Sequence, residues 1–402
     1  MMEKTVPSIA TKNVTKLYIL TALTNLWFVT GSWLYFYRLY MSDRQIGILD
    51  GLVFGVGLIA EIPSGALADM LGRKRQLQLG LLLMSAGWLV QGFAQAYWYI
   101  LVGMVMFTVG MALVSGSDDA LVYDSLDAEG KSGLWDAVIA RKFQIMHAVT
   151  IASVLIGGLL YVVQFRLPFI LAGVGTFLAL IIASTFKEVH TKTKDLSVTG
   201  YVRQNIDGMH YLFRRHMWLY TFMALVVLGI GYAFDLGVIK PLILDMFGYK
   251  ANAQAVINAV AGVIAIVALT QLSALRRFFG EKKGLVLLAL CMGAGFLLAS
   301  FPIGKIGLIA FLLIFIVNSL VEPWLNDAIQ HEVPSSHRAT ALSTLSLLQK
   351  LPYVILAPLA GAFSTSGKLS MYFLGIALCI FAAVAAMLIF GILSNYKKRS
   401  PV

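Results

Sequence analysis

Ionisable side chains are scarce in this sequence, and several stand where an apolar chain tolerates them least. Asp50, Glu61, His147, Asp235, Glu322 and Lys350 each fall inside a long run of aliphatic, aromatic and small residues. A charge at the centre of such a run costs about 2–3 kcal/mol on insertion scales, so it needs a partner or a wet cavity. Their polar neighbours keep helical spacing. Asn318, Glu322 and Asn326 recur at every fourth position, Ser343, Ser346 and Lys350 lie at i, i+3 and i+7, and His147, Thr150 and Ser153 at every third. Each set makes one stripe on one helix face. The chemistry open to these stripes is proton uptake and release, ion pairing, and hydrogen bonding to a polar solute.

Individual readings differ. Glu61, next to Pro63, reads as a structural partner rather than a ligand. Asp50 stands near a membrane edge and reads as solvated. Asp235 is either a ligand or a pair for Lys240 or Arg38. Glu322 and Lys350, at similar depth in consecutive helices, are expected to form a direct or water-bridged pair that keeps the acid ionised until it is separated. Asp235 and His147 are its rivals as proton carrier. Asn25, Trp27 and Phe28 lie deeper than the other aromatics of their run and are expected to line a cavity.

Other chemistries lack their residues. There is no G-x-x-x-x-G-K-[ST] loop for ATP, no H-E-x-x-H and no metal-spaced cysteine pair. No channel filter sequence is present either. No catalytic residue, metal or cofactor is therefore expected. Cys291 and Cys379 lie far apart inside apolar runs and read as small packing residues.

The elements that must carry these residues follow from composition. The 402 residues are 59% hydrophobic and 13% charged, with a mean hydropathy of +0.82; a soluble chain is nearer a quarter charged. A spanning helix needs about 20 apolar residues. Twelve candidates follow, at 17–40, 46–67, 77–95, 97–119, 142–163, 167–186, 217–240, 252–274, 284–302, 306–328, 340–362 and 369–394. The first is expected to act as an uncleaved signal anchor. The polar, basic stretch 187–216 reads as a cytoplasmic linker, with 201–215 a surface helix. It separates an N-terminal half, 1–186, from a C-terminal half, 217–402.

Lys and Arg orient the chain. With both termini cytoplasmic, inner segments hold 23 of these residues and outer segments seven. The formal charge of +11 is then topology and not a nucleic-acid surface. An internal repeat appears at an offset of 208. It lays LADMLGRKR (67–75) on LRRFFGEKK (275–283), Asp119-Ala120 on Asp327-Ala328, and Gly47 and Gly51 on Ala255 and Ala259. A duplicated six-helix unit with parallel halves places a site between the halves near mid-membrane.

Residues 61–76, EIPSGALADMLGRKRQ, join the second and third runs on the cytoplasmic side. Gly65, Leu67, Ala68, Asp69, Gly72, Arg73 and Lys74 match G-x-L-A-D-x-x-G-R-K-x, and here the chain resembles the major facilitator superfamily. E-x-P-x-G-x-x-A-D with S-G-x-x-D-A-x-x-Y-D-S (115–125) is similar to a bacterial drug- or metabolite-transporter-like branch of it. The resemblance implies an all-α bundle of twelve transmembrane helices in two halves, moving a small molecule by alternating access. It also implies that Asp69 and Arg73 form a cytoplasmic gate with an acid ending helix four, Asp118 or Asp119. Helices one, four, seven and ten would surround the cavity, bringing Asn25, Met104, Asp235 and Glu322 to it, with Asn318, His147 and Lys350 nearby. Two departures weaken antiport: methionine (Met104) stands where proton antiporters carry a helix-four arginine, and Ser153-Val154 replace the Gly-Pro before Gly157-Gly158.

The expectation is a bacterial inner-membrane monomer coupled to protons. Efflux of amphiphilic or cationic compounds is favoured over uptake of a metabolite or siderophore. A non-transporting receptor or intramembrane enzyme is the remote alternative.

Overall fold

The computed structural model describes residues 8–189, 217–333 and 344–397. The linker helix expected over 201–215, Arg338 and Ser343 lie outside the described residues, as do the surroundings of Gly65 and the Asp69 side chain. The described backbone is helical, and nine of its segments are long and apolar enough to cross a membrane.

Two compact units emerge from packing, and they cut across the sequence halves. One holds Met1–Tyr40, Val53–Tyr201 and Ala251–Ala259; the other holds Met41–Leu52, Val202–Lys250 and Val260–Val402. The first contains α1 (Ile9–Thr24), α2 (Trp33–Tyr37), most of α3 (Asp43–Leu71), α4 (Arg73–Gly92), α5 (Tyr97–Val114), α6 (Ser117–Asp127), α7 (Trp135–Val163) and α8 (Leu167–Ser184). Glycines let α4 and α5 meet backbone to backbone. A Cβ on Gly80 would stand 2.8 Å from the Gly110 carbonyl oxygen, and one on Gly103 2.7 Å from that of Gly87. The two contacts are seven residues apart on each helix, so a single seam is built from small residues. Leu17, Leu20, Leu77, Leu81, Leu121, Val122 and Phe186 close the core beside it.

The second unit contains α9 (Trp218–Leu236), α10 (Ile239–Met246), most of α11 (Ala251–Thr270), α12 (Leu272–Phe279), α13 (Glu281–Ala299), α14 (Leu308–Glu332), α15 (Leu351–Thr365) and α16 (Leu369–Lys397). Phe234, Phe296, Phe311 and Phe373 are fully buried at its centre.

Among the runs expected as single spans, three interruptions position the candidate residues. The first, 17–40, breaks after Asn25, whose Nδ2 donates to the Thr21 carbonyl at 2.8 Å; an asparagine bonding its own helix competes with the next turn. The seventh breaks at Gly237, which is extended (φ −105°, ψ −167°) between α9 and α10. An offset of 208 carries the first break, 25–32, onto 233–240, which contains the second. The fourth breaks at Gly116 (φ 74°, ψ −12°), which starts α6 in a new direction. The repeat also shows in the turns before α4 and α13: Gly72 has φ 83° and ψ 148°, and Gly280 has φ 74° and ψ 159°. Only glycine adopts that region readily.

Candidate functional site

In the first unit the charged residues gather where α4, α6 and α7 meet. Arg73, the first residue of α4, pairs with Asp124 on α6. The acid expected opposite Arg73 was Asp118 or Asp119; both instead bind Lys142 of α7, at 2.7 and 2.6 Å. The Gly116 break is the reason. It starts a fresh helix at Ser117, and Asp124 lies two turns along it, while Asp118 and Asp119 sit in its first turn. Carboxylates in a first turn are favoured by the helix dipole. Asp118 is 7% exposed, so its pairing with Lys142 is what makes its burial tolerable.

Outside the spans, Glu129 lies beyond the end of α6. Its carboxylate accepts from Lys131 Nζ at 2.8 Å and from the Ala10 amide at 2.9 Å. The Lys131 bond first, then the Ala10 amide, holds it down to a pKa of about 2.

At the break in the first run, Asn25 is half-buried and its carbonyl accepts from Ser153 Oγ at 3.4 Å. The Phe28 carbonyl lies directly against Gly157, where any side chain would collide with it. Gly157, read from sequence as a surviving residue of an antiporter signature, and Ser153, read as a departure from it, thus seat a broken helix. Met104 is half-buried on α5, one residue beyond the glycine seam, and His147 is exposed on α7.

In the second unit Asp235 and Lys240 flank the break between α9 and α10 and pair at 2.7 Å. Lys240 also lies over the Phe315 ring at 5.7 Å. Asn318 packs its Oδ1 against Gly231 of α9. Glu322, one turn further on α14, is exposed. The expected Glu322–Lys350 pair is absent among the described residues. Lys350 stands at a turn, capping the N-terminus of α15, with Pro352 in the first turn after it. The proline interrupts the helix that was to carry Lys350 inward. Arg276, on α12, pairs with Asp327.

The largest surprise is Asp50. Expected to be solvated, it is 8% exposed and belongs to the second unit. Tyr353 Oη donates to its Oδ2 at 2.8 Å and the Val238 amide donates at 3.1 Å. The signal was present in the spacing: Asp50 shares a face with Gly47 and Gly51, which pack on α15. A Cβ on Gly51 would meet Pro358 at 2.8 Å and the Val354 carbonyl at 2.9 Å.

Comparison with known proteins places this geometry in a family. Residues 17–357 match the profile of the Major Facilitator Superfamily. An uncharacterized MFS-type transporter, YxaM of Bacillus subtilis (strain 168), is 24% identical over 346 residues, covering 83% of this chain and 84% of that protein. The fold resembles the crystal structure of the nucleoside transporter NupG, with TM-score 0.74, 11% identity, and 96% and 99% of the two chains covered. It also resembles a D-xylose-proton symporter, with TM-score 0.65, 15% identity, and 95% and 96% covered. Spanning most of the chain, the profile match and the shared fold lead to one conclusion: this multi-pass membrane protein belongs to the Major Facilitator Superfamily.

Proposed function

We propose that the chain is a proton-coupled secondary transporter that moves a small molecule across the bacterial inner membrane by alternating access. It works as a monomer of twelve transmembrane helices in two halves, with both termini cytoplasmic. Family membership supports transport, and the carriers with this fold include a D-xylose-proton symporter.

Glu322 carries the coupling reading. It is the acid inside an apolar helix that has no counter-charge among the described residues and stays accessible, so it can gain and lose a proton without breaking a salt bridge. Efflux of amphiphilic or cationic compounds is the favoured direction. An unneutralised carboxylate on an apolar helix suits a cation. Uptake of a metabolite or siderophore is the second reading, supported by the incomplete antiporter signatures. On the cytoplasmic side, the Arg73–Asp124 pair supports a gate in which Asp69 takes part.

Proteoliposomes with an imposed pH gradient test this. Glu322→Gln is expected to abolish pH-driven movement of the substrate found by panel screening while leaving exchange at equilibrium measurable. Retained pH-driven transport in the folded variant hands the proton to Asp235 or His147.

A further inference from the structure

The carboxylate of Asp50 holds together a seam that the function proposed above does not use. On one face of the first two turns of α3, Asp43, Gly47, Asp50 and Gly51 follow each other at helical spacing and meet α15. Ser364 Oγ donates to Asp43 at 2.5 Å, and the Arg44 amide donates to Thr365 Oγ1 at 2.8 Å. Gly47 lies directly on the Ala357 carbonyl. At the inner end of this seam, Asp50 reaches the break between α9 and α10. Val238 caps α10, and the extended Gly237 before it leaves the Val238 amide without its helical acceptor. Asp50 supplies that acceptor.

Two details make the group more than a helix cap. Asp50 has no lysine or arginine partner among the described residues, and both of its donors are neutral. The donors converge on Oδ2, which leaves Oδ1 without a hydrogen bond among the described residues. The groups around it are otherwise spoken for. Tyr353 is the titratable group in contact, and Tyr232 packs on its ring at 6.3 Å. Asp235 and Lys240, on either side of the break, pair with each other. Asp245 pairs with Lys250, Lys350 caps the N-terminus of α15 three residues before Tyr353 without bonding Asp50, and Asp43 binds Ser364.

The repeat supplies a control within the molecule. Asn258 occupies the position 208 residues after Asp50, in the stretch of α11 that belongs to the first unit, where Ala255 packs against Gly31 and Gly158. There the side chain is a permanently neutral amide, and its Oδ1 is buried without a donor. The same kind of seam is thus built once with a neutral side chain and once with one that can ionise.

We propose that Asp50 is a proton-binding site that loads when this seam is open and is buried in neutral form when the seam closes. Loading takes a proton from hydronium at Oδ1 and releases water. Closing the seam removes the carboxylate from water with no lysine or arginine among the described residues paired to it, and two neutral donors return only part of that cost. With the proton in place the charge is gone, and Oδ2 still accepts from Tyr353 and Val238. Acidity at the outer face therefore drives the seam shut. The proposal rests on the alternating-access reading, since it requires an open state.

Spin labels at Gln45 and Ser366, introduced as cysteines after Cys291 and Cys379 are replaced by serine, report the seam by pulsed dipolar distance measurement in nanodiscs. The short-distance population is expected to grow as pH falls from 8 to 5. Asp50→Asn, which keeps an acceptor for both donors, is expected to stay closed at every pH. Tyr353→Phe is expected to keep the pH dependence with a moved midpoint. A wild-type seam insensitive to pH, or an Asp50→Asn seam that still responds, overturns the proposal. Transport is read separately in proteoliposomes: a seam that responds to pH in a protein that moves no substrate refutes the transport reading and leaves the proton site standing.

Discussion

Lys142 does for two acids what none of the described residues does for Asp50. Its ammonium lies within hydrogen-bond reach of both Asp118 and Asp119, so its removal leaves a pair of like charges side by side, one of them buried. Breaking a buried pair from one side costs about 3 kcal/mol or more. Lys142→Met is expected to lose about that much, read as a lowered thermal midpoint in detergent, with Lys142→Arg nearly neutral. Equal midpoints for the methionine variant and wild type refute the triad. Glu129 shows the opposite sign of environment at an exposed turn. Its carboxyl titrates near 2, below its ordinary 4.5, so the tie from its turn to the start of α1 is complete above about pH 4.5 and is lost as pH falls toward 2. Hydrogen exchange at the Ala10 amide should accelerate over that window. In Glu129→Gln it should be fast already at neutral pH.

Helix interruptions, more than helices, decide which side chains meet. Gly116 and Gly280 both have positive φ, but their ψ values separate them. Gly116 is left-handed helical, a conformation asparagine also adopts, whereas Gly280 lies in the region kept for glycine. Nothing lies within 4 Å of a Cβ at either position, so strain alone distinguishes them. Gly280→Asn is expected to destabilise by about 1–3 kcal/mol and Gly116→Asn by under about 1 kcal/mol, both read by thermal unfolding. The same interruptions explain what could be read from sequence. Apolar length and the 208-residue offset were legible, because lipid demands long runs and the duplicated turn keeps its glycine. The partners of Arg73 and Glu322 were not. Gly116 moves Asp118 and Asp119 onto Lys142, and Pro352 leaves Lys350 at a turn; both effects depend on where a helix stops, which periodicity marks poorly. Asp50 was misread for another reason. Its distance from the end of its run suggested water, and only the Gly47–Gly51 face, read as a close-packing surface, pointed to burial.

At the scale of the whole molecule, neither half of the sequence is a complete packing unit. Residues Met41–Leu52 belong with α9, α10 and α15, and Ala251–Ala259 belong with α1, α2 and α7. The exchange has a direct consequence for folding. A fragment beginning at residue 217 lacks the segment that covers Ala357, Pro358 and Gly361 on α15, and it leaves the Val238 amide without Asp50. A fragment ending at 189 lacks Gln254, whose Nε2 donates to Tyr35 Oη at 2.9 Å, and Ala255, which fills the space beside Gly31 and Gly158. In lipid such losses are not made good by water, because each exposed backbone or polar group needs a protein partner. Each fragment expressed alone is therefore expected to aggregate on extraction. The two co-expressed, with the chain cut between residues 190 and 216, are expected to co-purify as one monodisperse species with a thermal midpoint near that of the intact protein. Size-exclusion chromatography after affinity capture through a tag on one fragment decides the matter. Two fragments that are each monodisperse and stable alone would show that the exchanged segments contribute little. In that case the stability of each half rests on its own glycine seams and aromatic core.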